Sequence, residues 1–195
     1  MFFTLGLGIA ALIAYATATA LLWRRLPALR QGENPGKSPA LAATFAGALL
    51  HVGVLASCAC ESNGVDLGVL KALSLSGLVT LLIVLISSLR QPLENLLLAV
   101  LPLTMLSLAA QLAWPAAPQN LIGHQPALEI HILLSILAYS LLTLAALQAL
   151  LLANQHRALH MRRPGAFAHI LPPLEDMETL LFRMISAGFV LLSLA

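Results

Sequence analysis

Residues Leu41 to Ala59 read LAATFAGALLHVGVLASCA, nineteen positions without a charge and with a single histidine at their centre. A run of about 20 apolar residues, wound as a helix, crosses the roughly 30 Å hydrocarbon core of a bilayer. Five more runs of this kind follow from the same reading: Phe2 to Trp23, Gly68 to Leu89, Leu93 to Trp114, Ala127 to Ala153 and Glu178 to Ala195. Of the 195 residues 59% are hydrophobic and 9% are charged, whereas soluble domains carry about 25% charged residues. The chain is therefore expected to be all-α, a polytopic transmembrane bundle of six visible spans, with residues 1–195 forming one transmembrane domain in contact with membrane lipid.

The short loops set the orientation, because Lys and Arg stay on the cytoplasmic side. Arg24, Arg25, Arg30 and Lys37 follow the first run, Arg90 the third, and Arg157, Arg162 and Arg163 the fifth. The loops at 60 to 67 and 115 to 126 contain no Lys or Arg. The alternation predicts an N-terminus outside. Nothing basic precedes the first run, so it reads as a retained anchor and not a cleaved signal peptide. The net charge of +2 is accounted for by this asymmetry, and no nucleic-acid partner is indicated. The last run ends at Ala195 without a polar exit, which predicts a longer protein with further helices.

His51 and His131 are the two histidines inside spans. An ionisable group there is a candidate functional residue, and a neutral imidazole is a common metal ligand. His51 shares a helical face with Thr44, Gly47, Leu55 and Cys58, and its helix is rich in alanine and glycine, which lets another backbone or a flat ligand come close. Counted from Ala59, His51 lies about 12 Å below the outer boundary; His131, counted from Ala127, lies about 6 Å below it. Both residues can equally donate hydrogen bonds across helices. The second and fifth helices are expected to be neighbours, with both rings facing a common interior. Zinc fits poorly, since it requires three or four N, S or O ligands.

The remaining features read as structural. Arg25 to Pro39, RLPALRQGENPGKSP, marks a turn. Pro102 falls within the fourth span, and Pro172 and Pro173 followed by Glu175, Asp176 and Glu178 suit a helix start. Cys58 and Cys60 read as small buried residues or free thiols, because a disulfide across one intervening residue is strained. Lys71 and Arg183 are expected to snorkel toward water, and His156 with His160 to belong to a solvated basic loop.

Two stretches resemble a known family. Leu128 to Gln155, LEIHILLSILAYSLLTLAALQALLLANQ, is similar to the helix that opens with a haem-ligating histidine in the integral-membrane cytochrome c assembly superfamily (CcsA/CcmC-type). His131, Ser135, Ala138 and Tyr139 carry the match. Leu171 to Ala195, LPPLEDMETLLFRMISAGFVLLSLA, looks like the next helix of that family. The tryptophans are Trp23 and Trp114 alone, and without the family's tryptophan-rich loop the chain looks most like the HemX/YpjD-like inner-membrane branch.

The resemblance implies non-covalent b-type haem, with His131 as an axial iron ligand on the outer side and His51 as a second. It places Ser135 and Tyr139 beside the first ligand. The implied function is haem binding and cytochrome c assembly in a bacterial inner membrane, by presentation and not by catalysis, alongside other assembly proteins. The alternative is a non-enzymatic regulator or scaffold linked to tetrapyrrole synthesis that need not bind haem.

Overall fold

The computed structural model describes residues 2–30, 36–61, 68–90, 94–114, 126–160 and 174–195. All secondary structure among them is helical: α1 (Phe2–Arg30), α2 (Ser38–Glu61), α3 (Val69–Arg90), α4 (Glu94–Ala113), α5 (Pro126–His160) and α6 (Leu174–Leu194). Each helix is long and apolar enough to cross a membrane. The protein is thus an all-α, multi-pass membrane bundle. In lipid a helix satisfies its own backbone hydrogen bonds, which is why apolar sequence of this length takes that form.

Two boundaries differ from the sequence reading. α1 continues through Arg24, Arg25 and Pro27 to Arg30, so the turn between the first two spans begins later than Arg25. A helix of 29 residues is about 43 Å long, and its last turns extend past the hydrocarbon while keeping their backbone bonds. α5 likewise runs on to His160, which places His156 on a helix and not in a loop. α6 starts at Leu174 with Glu175 and Asp176 in its first turn, where carboxylates meet the positive end of the helix dipole. The side chains of Cys58 and Cys60 lie outside the described residues.

α1 packs most extensively on α2, and α5 on α6; α3 lies between these pairs, touching α2, α4 and α5, while α4 closes against α1. The core contains Tyr15, Val54, Leu81, Leu97, Leu101 and Leu108, all fully buried. Close contacts alternate the helix directions. Lys37 Nζ, before α2, donates to the Ser88 carbonyl near the end of α3 at 3.0 Å, and Gly8 near the start of α1 lies against Leu112 near the end of α4.

α2 and α5 do not pack extensively on each other, contrary to the expectation that they are neighbours; α3 separates them. The small-residue face of α2 is already filled by α1. A Cβ on Gly47 would stand 2.6 Å from both Cδ1 and Cε1 of Tyr15, so only glycine admits the tyrosine ring. Gly47→Val is expected to lower the free energy of unfolding by about 1 to 3 kcal/mol, the range for an overpacked core, measured by thermal denaturation in mild detergent; an unchanged midpoint would contradict this packing.

Candidate functional site

His51 sits at the meeting of three helices. Its ring is fully buried, with Nδ1 3.2 Å from the Tyr15 hydroxyl of α1 and Nε2 2.8 Å from Ser74 Oγ of α3. The rings of Tyr15 and His51 meet edge to face, centroids 6.1 Å apart at 70°. A hydroxyl both donates and accepts, so either neutral tautomer of the imidazole is satisfied by this pair. Both ring nitrogens are thereby engaged and neither faces open space. As arranged, His51 joins helices and offers no lone pair to an iron.

The helical face predicted for His51 holds: Thr44 and Gly47 are buried with it. Its two partners were not legible in the sequence. Tyr15 is the single hydroxylated aromatic in α1, and Ser74 opens a run of polar and small positions, Ser74, Ser76, Gly77 and Thr80, on α3. These positions bind every neighbour of that helix. Ser140 Oγ of α5 donates to the Ser76 carbonyl at 3.1 Å. Thr80 Oγ1 donates to the Ser140 carbonyl at 3.4 Å, and Thr104 Oγ1 of α4 donates to the Gly77 carbonyl at 3.2 Å. Interhelical bonds of this kind contribute on average about 0.6 kcal/mol each in membranes.

His131 has the opposite environment. It is exposed near the start of α5, and its Nδ1 donates to the backbone carbonyl of Ala195 at the end of α6. A carbonyl only accepts, so in the neutral ring this bond puts the proton on Nδ1 and the lone pair on Nε2. This is the arrangement of ligating histidines, whose second nitrogen donates to a carbonyl or carboxylate and fixes tautomer and ring orientation. Of the residues expected beside it, Ser135 is half-buried and Tyr139 is exposed. The buried side of α5 is instead Ile136, Ser140, Leu144 and Gln148. His51 and His131 therefore do not face a common interior, because α5 turns Ser140 and not His131 toward α3.

The described residues contain no group of three or more His, Cys, Asp or Glu placed to hold a metal ion. A single exposed imidazole, neutral and with its lone pair on Nε2, could supply one ligand to a haem iron.

Comparison with known proteins bears on that helix directly. A family model described as "Cytochrome C assembly protein" matches residues 41–195. The chain belongs to the cytochrome c assembly protein family. The match includes both histidines, α2 from Leu41 onward and all of α3 through α6. The chain is also similar to an "Uncharacterized 28.8 kDa protein in nifR3-like 5'region" of Azospirillum brasilense, 34% identical over 61 residues. That stretch covers 31% of this chain and 22% of the relative. No solved structure matches the chain.

His51→Ala removes two hydrogen-bonded contacts and leaves a cavity among three helices. It is expected to lower stability by about 2 to 4 kcal/mol, read from unfolding in detergent. Ser74→Ala, which orphans one ring nitrogen, is expected to have a smaller effect of about 1 to 2 kcal/mol. Equal and negligible effects for both variants would contradict the three-helix arrangement.

Proposed function

We propose that this chain holds haem at the outer end of α5, with His131 Nε2 as an axial iron ligand, and serves cytochrome c assembly in a bacterial inner membrane. The observation that carries this reading is the bond from His131 Nδ1 to the Ala195 carbonyl, which in the neutral ring leaves the Nε2 lone pair for an iron, on an exposed residue within the family match. Haem supplies an iron that accepts a histidine nitrogen and whose potential depends on its surroundings. The protein's own contribution is to fix the imidazole: the Ala195 carbonyl holds the proton on Nδ1, and α6 holds the carbonyl.

The same reading gives His51 a supporting part. With Tyr15 and Ser74 on its two nitrogens, it keeps α1, α2 and α3 in register, and its claim as a second ligand is weaker than the sequence implied. The protein acts by binding and presentation, not by turnover, with its N-terminus outside and its partners among other assembly proteins of the membrane.

The test is an absorbance spectrum of the protein purified in mild detergent. Wild type is expected to show a Soret band. His131→Ala is expected to lose or shift it, with recovery on adding imidazole, while His51→Ala keeps the band at a reduced melting temperature. A well-folded wild type without haem would sink the reading in favour of a scaffold that needs none. An intact band in His131→Ala would move the ligand elsewhere.

For orientation, a phosphatase reporter fused after Lys37 is expected to be inactive and one placed in the 60 to 67 loop active. The reverse pattern would overturn the N-outside topology.

A further inference from the structure

α5 is held from two opposite sides. On one, Ser140 is fully buried against α3. Its Oγ donates to the Ser76 carbonyl at 3.1 Å, sharing the proton with the Ile136 carbonyl of its own helix at 2.7 Å. Ser76 Oγ stands 3.3 Å from the same hydroxyl, and Thr80 Oγ1 donates to the Ser140 carbonyl at 3.4 Å. Side chain and backbone of one residue are thus both tied to α3. On the other side Ala138 and Ala145 are buried, and a Cβ on Gly188 of α6 would stand 2.9 Å from the Leu142 side chain and 3.5 Å from the Ala138 carbonyl.

At 3.6 residues per turn, Ala138, Leu142 and Ala145 lie roughly 140° to 200° round the helix from Ser140. His131, nine residues before Ser140, lies about 180° round and about 13 Å away along the axis. It therefore belongs to the side of α5 that meets α6, in line with Ala138. The stretch between the two residues, HILLSILAYS, contains neither proline nor glycine, the usual causes of a kink, so a rotation at Ser140 is carried to His131. Apolar side chains do not hold a helix at one rotation, because lipid tails are as apolar as they are. Hydrogen bonds are directional. A turn of α5 by one position, about 100°, would carry Ser140 away from Ser76 and Thr80 and swing the imidazole by the same angle.

We propose that Ser140 is a positioning residue of the haem site: its bonds to Ser76 and Thr80 fix the rotation of α5 and so the direction in which His131 presents its imidazole. The inference rests on the reading of His131 as an axial ligand. Ser140 stands too far along the helix to touch the iron and acts only through α5, as groups that orient a metal ligand do. The bond from Thr104 to the Gly77 carbonyl is of the same kind, but it ties α4 to α3 and leaves α5 alone. It supplies the internal comparison.

The test titrates haemin into the whole chain, freed of haem, in mild detergent and reads the part of the Soret change that His131→Ala abolishes. Ser140→Ala is expected to weaken that binding about tenfold, the low end for loss of a group that orients a ligand, and to shift the band. Thr104→Val is expected to lower the melting temperature with binding and band unchanged. Ser76→Cys with Ser140→Cys, in a chain whose Cys58 and Cys60 are serine, should cross-link on oxidation, bind haemin as wild type does when oxidised, and weaken on reduction. Equal losses of binding in Ser140→Ala and Thr104→Val would overturn the proposal, since stability alone would then account for both. So would a cysteine pair that does not cross-link, or binding intact in Ser140→Ala but lost in His131→Ala, an outcome that leaves the haem reading standing. A folded wild type with no Soret change dependent on His131 would sink that reading, and this proposal with it.

Discussion

The structure depends on one constraint: inside a bilayer there is no water to accept the polar groups that a helix carries, so each must find its partner within the protein. α3 answers it for four of its neighbours' contacts. Its hydroxyl and backbone groups between Ser74 and Thr80 meet His51 on α2, Ser140 on α5 and Thr104 on α4. Near its end, Ser88 accepts from Lys37. Apolar packing between helices does not distinguish protein from lipid tails, and small residues and hydrogen bonds supply the specificity instead. A helix with polar groups at several registers can then have only one set of neighbours.

The same constraint separates the two histidines by role. An imidazole at the centre of the bundle must be paired on both nitrogens, and His51 is, by Tyr15 and Ser74. Near a helix end, where a ring can reach the surface, one nitrogen can remain open, and His131 leaves Nε2 open while α6 holds Nδ1. Burial in lipid thus favours a structural histidine at depth and a ligating one at the margin. This contrast supports the proposal of haem at α5 and gives His51 its cohesive part on α2.

α5 and α6 form a pair whose outer surface carries what the rest of the bundle does not use. The N-terminal end of α5 presents His131, and α6 meets α5 through Met177, Met184 and Gly188. α2, α3 and α4 direct Thr44, Ser74, Thr80 and Thr104 inward, where all are buried.

Much of this was legible in the residues. Hydropathy determined six helices, since apolar runs of this length have no other stable form in lipid, and the α6 start was visible in its prolines and carboxylates. The buried face of α2 was visible in the three-and-four spacing of Thr44, Gly47 and His51. Which element covers that face was not, because one sequence ranks no helix pair above another and α1 and α5 both offered a tyrosine. Only the tertiary structure placed Tyr15 against Gly47, turned Tyr139 outward and Ser140 inward, and set α3 between the two histidines. The physical reason is that a helix's rotation about its axis is decided by the sum of its contacts with several neighbours at once, and that sum exists only when the bundle is assembled.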